Sequence, residues 1–363
     1  EFTITDSQGI STTTTYRWVR NNYFTMIVFG DPEYDMRGLS GDGREIKELI
    51  NQIINLKNNT NLYFEPVEGL RVDYGPELVL CLGDIDSDAN SNMDKFMSVF
   101  GALYDNGIPF VTIYGNHDWS TYNWWDTADN GFTLILDNGN YGFTSGEESN
   151  NERTLALVDR SIEESQKLGV TLERKFLSTD YGHNYEGEVS PFVFSFRGIR
   201  FYCGQTYWFQ QWYTPTSGLL GKLRPATFHC TDEIMEELEN KIENEWGKDP
   251  AVWIQHYPMS DTQTDGGSSM WWHNRQGFGP EANDPNANQS VKWPTYEDKV
   301  TQMMNVINKT KNPIFFAGHT HQVATHKHAT FTEYITPYFR NKGIYVVLMK
   351  EGEGAIETIQ YSL

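Results

Sequence analysis

Continuous apolar runs, rather than alternating ones, are the most prominent pattern along the chain. Five of them stand out, and in chain order they read TMIVFGD, ELVLCLGD, PFVTIYGNHD, AVWIQH and PIFFAGHTH. A short continuous apolar run bounded by glycine is typical of a strand that is buried on both faces. The pattern therefore predicts five buried strands.

Segments with helical periodicity lie between many of these strands. In the first of them, Ile46, Leu49 and Ile53 recur at the spacing of one helix face. Patterns of this kind predict helices over residues 43–57, 92–105, 231–246 and 295–309, and one more near 152–168. Strands and helices in alternation predict an α/β fold with a largely parallel sheet covered by helices.

The strands end in residues that can ligate a metal ion. These residues are Asp31, Asp84, Asn116, His256, His319 and His321. The carboxyl ends of parallel strands share one edge of a sheet, where open α/β folds bind their ligands. Oxygen and imidazole donors without thiolates favour divalent ions such as Zn, Mn or Fe. The donors outnumber the ligands of one tetrahedral ion. Two ions about 3.5–4 Å apart that share a carboxylate would use them all.

Composition narrows the classes of partner. The chain has 28 basic and 49 acidic residues, a net charge of −21, which argues against binding extended nucleic acid. No apolar run approaches the ~20 residues of a membrane span, so no span is expected. The high use of Asn, Thr, Tyr and Trp favours a secreted or periplasmic location over a cytoplasmic one. Cys81 is predicted to be a buried apolar residue, whereas Cys203 and Cys230 could form a pair.

The pattern also predicts the domain organisation. Residues 1–21 are rich in Thr and are interpreted as an N-terminal arm or linker remnant. Residues 22–363 are predicted to form a single domain, with insertions near 119–190 and 259–294.

The motifs, taken in this order, resemble those of the calcineurin-like metallophosphoesterases. An Asp motif, then GD, GNHD, a single His and GHTH extend from Asp31 to His321, which is most of the chain. The segment 191–208 also resembles the family's hairpin before its later helix. The resemblance implies an αββα sandwich with a metal site at the C-terminal ends of the strands. It also implies phosphoester hydrolysis by a bridging hydroxide at a two-metal centre.

The resemblance further implies roles for individual residues. Asp84 would bridge the two metals, and His117 would face the substrate phosphate, where it would stabilise the transition state or protonate the leaving oxygen. Either Asp118 or Asp86 could hold the His117 ring in one tautomer. The remaining ligands would be Asp31 and His321 for the first metal, and Asn116, His256 and His319 for the second.

The chain departs from the family pattern at Glu33. The family's first motif usually reads Asp-x-His, whereas this chain reads Asp31-Pro32-Glu33, so Glu33 is the expected ligand. A carboxylate adds negative charge at the first metal and should favour a harder ion such as Mn or Mg there. The alternative is that Glu33 points to solvent and leaves the first site weak or empty. Ser87 stands where the purple acid phosphatase branch has a tyrosine, which disfavours that branch.

Two aromatic segments, residues 118–126 and 270–280, are predicted to form the walls of the pocket. Their tryptophans could stack on a nucleobase or sugar, pack under an apolar group, or pack against one another as a lid. These tryptophans are Trp124, Trp125, Trp271 and Trp272. His273 and Arg275 are candidate phosphate contacts, and Arg275 is the better one because its planar fork matches phosphate oxygens.

Together, these features predict a phosphatase that acts on small organic phosphates or nucleotides and uses two divalent ions of Mn, Zn, Fe or Mg. Two alternatives remain open. One is a phosphodiesterase of the same fold, and the other is a catalytically inactive binding module that keeps the fold.

Overall fold

The computed structural model describes residues 2–5, 7–9, 11–14, 22–33, 43–59, 61–85, 93–113, 115, 150–176, 191–204, 232–259 and 296–363. Two large mixed sheets dominate this part of the chain. The five-stranded sheet contains, in spatial order, β16 (Gly354–Ser362), β15 (Gly343–Lys350), β3 (Tyr23–Phe29), β6 (Leu78–Cys81) and β7 (Phe110–Thr112). The seven-stranded sheet contains β13 (Ala324–Lys327), β14 (Thr332–Ile335), β12 (Lys311–Ala317), β11 (Pro250–Ile254), β10 (Ile199–Cys203), β9 (Phe192–Phe196) and β8 (Thr171–Lys175).

The described helices coincide with the segments of helical periodicity. They are α1 (Arg44–Asn55), α2 (Met93–Asp105), α3 (Asn150–Gln166), α4 (Asp232–Lys241) and α5 (Tyr296–Ile307). A π-helical turn at Ile242–Trp246 continues α4, and the 3-10 turns Leu56–Asn58 and Phe339–Asn341 complete the helical segments. The five helix predictions are confirmed to within a few residues at each end. None of the described helices is long and apolar enough to cross a membrane.

The sheets and helices form four layers. One apolar cluster lies between the two sheets and includes Val28 from β3 and Phe316 from β12. A second joins the outer face of the five-stranded sheet to α1 and α2, with Ile50 as one member. A third joins the outer face of the seven-stranded sheet to α4 and α5, through Leu238 among others. The αββα sandwich is therefore confirmed.

The four layers explain why the strands are apolar without interruption. In β3, Met26 and Val28 face the other sheet, whereas Ile27 and Phe29 face the helices. Both faces of the strand are buried, so no position requires a polar residue. Burial on both faces does not reveal what covers each face, and for this reason the apolar runs alone predicted one sheet where the fold has two.

In the described part of the chain, the parallel strands form one group in each sheet. β3, β6 and β7 are mutually parallel in one sheet, and β10, β11, β12 and β14 are parallel in the other. Antiparallel strands extend the sheets outward from these groups. All five predicted runs thus form strands of these parallel groups, namely β3, β6, β7, β11 and β12.

Helix α3 covers the open edge of β7. The main-chain N–H of Thr112 donates to the Ser161 hydroxyl at 3.3 Å, and the Ser165 hydroxyl donates to the Phe110 carbonyl at 2.8 Å. Both serines are fully buried. They satisfy main-chain groups that the sheet leaves unpaired, as buried backbone requires.

The predicted domain boundaries and insertions stay predictions. Residues 150–175 fall within the segment expected as an insertion, yet α3 packs into the core through Val158 and β8 joins the seven-stranded sheet.

Two small hairpins pair β1 (Phe2–Thr5) with β2 (Ser11–Thr14) and β4 (Tyr63–Val67) with β5 (Leu70–Asp73). Cys81 and Cys203 are buried thiols in the core.

Candidate metal centre

The turns after four parallel strands bring their polar side chains together. Asp31 follows β3 and Asp84 follows β6 in one sheet, whereas His256 follows β11 and the His319–His321 turn follows β12 in the other. The two sheets meet here, because Nε2 of His256 lies 3.2 Å from Oδ2 of Asp84. The centre is therefore built across the interface between the sheets.

Among the described residues, two overlapping groups of side chains could hold a metal ion. One consists of Asp84, His256 and His319, and the other of Asp31, Asp84 and His321. Within each group, the candidate ligand atoms all lie within 4.8 Å of one another. Asp84 belongs to both groups. The donors are carboxylate oxygens and imidazole nitrogens, which suits divalent ions of borderline or hard character.

The surroundings of His256 determine which of its ring nitrogens carries the proton. The Nδ1 atom lies 2.8 Å from the Leu82 carbonyl oxygen, which can only accept a hydrogen bond, so Nδ1 carries the proton. Nε2 is then the atom that faces Asp84. A ligand histidine is held in this way by a hydrogen bond from its other nitrogen.

The charge balance of the metal-free centre favours bound cations. Burial works against a charge on the fully buried His256, but the adjacent Asp84 carboxylate outweighs this and raises the pKa of His256 to about 9. Burial, aided by the charge of Asp84, also raises the pKa of Asp31. In both cases the centre holds a proton more tightly than the free side chain does, because it concentrates negative charge away from water.

Asp31 is fixed by the opposite turn. The main-chain N–H of His319 donates to the two carboxylate oxygens of Asp31 at 3.0 and 3.1 Å. Nε2 of His321 lies 3.5 Å from Oδ1 of Asp31. Asp31 is fully buried, whereas 41% of the His321 side chain is exposed. The centre therefore opens to solvent on the side of His321.

Glu33 is buried and faces the centre rather than solvent. Only 2% of the residue is exposed. Its Oε1 atom lies 3.8 Å from Nε2 of His321, and its Oε2 atom accepts a hydrogen bond from the Tyr338 hydroxyl at 2.9 Å. The carboxylate is thus beside the Asp31 group without being part of it.

The backbone of the centre adopts a conformation that L-residues rarely occupy. Five of the eight non-glycine residues with positive φ in the described ranges belong to it: Asp31, Glu33, Asp84, His319 and His321, with φ between 39° and 69°. Such conformations cost free energy and persist where surrounding contacts enforce them, as at binding sites.

Two glycines permit the close approach of the turns. A Cβ atom on Gly115 would lie 2.2 Å from Oδ1 of Asp84, and one on Gly318 would lie 2.8 Å from Oδ2 of Asp31. Neither contact is possible for a real side chain. The glycines of the GNHD and GHTH motifs therefore leave space for the carboxylates of neighbouring strands.

Several predicted residues lie outside the described part of the chain. They are Asn116, His117, Asp118, Trp124, Trp125, Trp271, Trp272, His273 and Arg275. Their roles stay predictions. Gly115, which directly precedes Asn116, is described and lies against Asp84.

Sequence reasoning missed three residues at the centre. The ring of Tyr257 lies 3.9 Å from that of His319, and the ring of Tyr338 lies 4.6 Å from that of His321. Arg340 donates hydrogen bonds to the main-chain oxygens of Pro32 and Glu33. Tyr257 could have been found from its position next to His256, whereas no pattern in the sequence distinguishes Tyr338 or Arg340.

No protein-family model matches the chain, and no curated protein matches it. Among solved structures, it is similar to the phosphopantetheinyl hydrolase of Mycobacterium tuberculosis, with 12% identity, a TM-score of 0.39 and coverage of 87% of this chain and 90% of that one. It is also similar to a 5'-nucleotidase of Staphylococcus aureus, with 11% identity, a TM-score of 0.40 and coverage of 94% and 54%. A third is the sulfate thiohydrolase SoxB of Thermus thermophilus, with 10% identity, a TM-score of 0.39 and coverage of 96% and 58%.

The chain thus spans little more than half the length of the second and third of these proteins. At such low identities and TM-scores, they add nothing to what the chain's own residues establish. The αββα layers, the turns at the strand ends and the two groups that share Asp84 agree with the resemblance to the calcineurin-like metallophosphoesterases that the motifs indicate.

Proposed function

We propose that the chain is a metal-dependent phosphoesterase that holds two divalent cations. The observation that carries the proposal is the position of Asp84, which belongs to both candidate metal groups. A carboxylate has two oxygens and can serve two cations at once. Its partners in one group, Asp31 and His321, differ from its partners in the other, His256 and His319, so each cation would have its own remaining ligands.

The burial of three carboxylates supports bound cations. Asp31 and Asp84 are fully buried and Glu33 is nearly so. Buried carboxylates are costly unless protons, hydrogen bonds or cations offset their charge. Two divalent cations would offset these charges better than the protons that the metal-free centre holds.

The residues divide into an oxygen-rich and a nitrogen-rich set. Asp31, Glu33 and His321 would hold the first cation, and His256, His319 and Asn116 the second, with Asp84 between them. The first set should favour a harder ion such as Mn or Mg, and the second a borderline ion such as Zn or Fe. When bound, such a pair of cations supplies an acidified water and neutralises phosphoryl oxygens.

His117 is the proposed general acid. Gly115 lies against Asp84 and His256 at the end of β7, and His117 follows it by two residues. A histidine there would be in reach of a phosphoester held at the cations and could protonate the leaving oxygen. Asp118 would orient its ring.

The proposed substrates are small organic phosphates or nucleotides. The net charge of −21 disfavours long nucleic acids. Trp124, Trp125, Trp271 and Trp272 would stack on a base or sugar, and Arg275, with His273, would contact phosphate. The exposed side chain of His321 marks the side from which a substrate would enter.

Hydrolysis of nitrophenyl phosphate mono- and diesters by the metal-loaded protein tests the proposal. His117→Ala should lower kcat by roughly 10²–10⁴-fold and leave the metal content unchanged. His326→Ala, a histidine on the edge strand β13, is the matched control and should retain activity. A protein that binds two cations per chain yet hydrolyses no ester would contradict the proposal and favour a binding module.

A further inference from the structure

The segment 336–340 lies between β14 and β15 and contacts the turns of both sheets. The Thr336 N–H donates to the Ala317 carbonyl at 2.8 Å, and the Tyr338 N–H donates to the His321 carbonyl at 3.4 Å. On the other side, the Phe339 N–H donates to the Gly30 carbonyl at 3.2 Å. The segment therefore joins the turn that carries His319 and His321 to the turn that carries Asp31 and Glu33.

Tyr338 is the residue of this segment that contacts both turns through its side chain. Its hydroxyl donates to Oε2 of Glu33 at 2.9 Å. Its ring is stacked on that of His321, with centroids 4.6 Å apart and an interplanar angle of 19°. Both of these residues belong to the oxygen-rich set, so the side chain sets the position of two proposed ligands relative to each other.

Arg340 fixes the main chain of the same turn. Its Nε atom donates to the Pro32 carbonyl at 3.4 Å, another nitrogen donates to the Glu33 carbonyl, and a third contacts Glu45 at 3.4 Å. Glu33 has a φ of 39°, which its neighbours must enforce. With the main chain held by Arg340, the carboxylate still has free torsions that only a side-chain contact can restrict.

We infer that Tyr338 is a positioning residue that makes Glu33 an effective ligand of the first cation. This inference rests on the proposed function. The Tyr338 hydroxyl donates to Oε2, which leaves Oε1, 3.8 Å from Nε2 of His321, as the oxygen that would bind the first cation. A histidine needs a partner on its second nitrogen to be held as a ligand, and a carboxylate has the same need at its second oxygen. Glu33 and the Tyr338 hydroxyl beside it thus form one arrangement.

Calorimetric titration of the metal-stripped protein with Mn²⁺ tests the inference. Tyr338→Phe keeps the ring on His321 and removes only the hydroxyl. We expect its affinity for one of the two ions to fall about 10–100-fold, with the other ion bound as in the wild type. Tyr345→Phe is the matched control, because it also removes a hydroxyl, here one that donates to the main-chain oxygens of Ala324 and Ile335. It should bind both ions normally.

The variant Glu33→Gln separates the possible outcomes. If the wild type binds two ions and Glu33→Gln loses one while Tyr338→Phe binds both as tightly as the wild type, the role of Tyr338 is wrong and the proposed function stands. Equally weakened metal binding in Tyr345→Phe would also overturn the role of Tyr338, since the loss of a hydroxyl elsewhere would then have the same effect. A wild-type protein that binds fewer than two ions would contradict both the role of Tyr338 and the proposed function. A visible charge-transfer band with bound Fe³⁺ that Tyr338→Phe abolishes would make Tyr338 a ligand and contradict the positioning role.

Discussion

Nε2 of His256 lies 3.2 Å from Oδ2 of Asp84, although the two residues follow strands of different sheets. Neither sheet could form this contact alone. The apolar cluster between the sheets sets their separation, and it therefore also sets the spacing of the ligands. The geometry of the centre depends in this way on the packing of the core beneath it.

The shared position of Asp84 predicts that its loss affects both cations. Asp84→Asn keeps the shape of the side chain and removes its charge. We expect the metal content to fall from about two ions to fewer than one per chain, and ester hydrolysis to be lost with it. Elemental analysis after gel filtration measures the content.

Asp249→Asn is the control for this variant. Asp249 contacts Arg200 at 2.8 Å, and 43% of its side chain is exposed. Its metal content should match the wild type. If Asp84→Asn lost one ion and retained the other at full occupancy, Asp84 would not bridge the two.

The close approach of Gly115 to Asp84 predicts that even one added methyl group disrupts the centre. Gly115→Ala would place a Cβ atom 2.2 Å from Oδ1 of Asp84 and 2.6 Å from the His256 ring. The turn must shift, so we expect metal affinity to drop at least tenfold. Gly101→Ala, whose Cβ would only meet Met97 at 3.6 Å inside α2, should bind metal normally and gain up to ~1 kcal/mol of stability from helix propensity. Normal metal binding by Gly115→Ala would show that the turn is freer than this contact implies.

The serines of α3 are predicted to stabilise the edge of β7. Ser161→Ala leaves the buried main-chain N–H of Thr112 without its hydrogen bond, whereas after Ser165→Ala the Phe110 carbonyl still accepts one from the Tyr104 hydroxyl at 3.0 Å. We expect Ser161→Ala to lower the free energy of unfolding by about 1–3 kcal/mol and Ser165→Ala to lower it by less, as measured by urea denaturation. Ser195→Ala removes a hydroxyl that donates to Glu173 at an exposed position. It should change the free energy of unfolding little. Equal effects of all three substitutions would argue against a special role for α3 at this edge.

The pKa of His256 predicts how the stability of the metal-free protein varies with pH. The folded state raises this pKa from 6.5 to about 9, so it holds the proton more tightly than the unfolded state does. The resulting stabilisation is fully present below pH 6.5 and is lost as the pH rises through 9. The raised pKa of Asp31 acts in the same direction above its ordinary value of 3.8.

Urea midpoints in the presence of a chelator, between pH 6.5 and 9, measure this dependence. Stability should fall across the window, and His256→Gln should flatten the slope. A stability that rises with pH in the wild type would mean that the Asp84–His256 contact does not hold a proton in the folded state.

The sequence supported the fold and much of the centre because both leave local patterns. Strands buried on both faces read as apolar runs, and Asp31, Asp84, His256 and His319 follow such runs directly. The division into two sheets left no local pattern, because burial under a helix and burial under a sheet select the same residues. The contact of Tyr338 with Glu33 could not be predicted either, since the two residues are 305 positions apart and only the packing of the sheets brings them together.

The number of metal ions per chain tests the central claim most directly. The purified protein is incubated with Mn²⁺ and Zn²⁺, freed of unbound metal, and analysed for its elements beside Asp84→Asn. The two overlapping groups predict about two ions per chain in the wild type and fewer than one in the variant. One ion or none in the wild type would contradict a shared carboxylate between two cations.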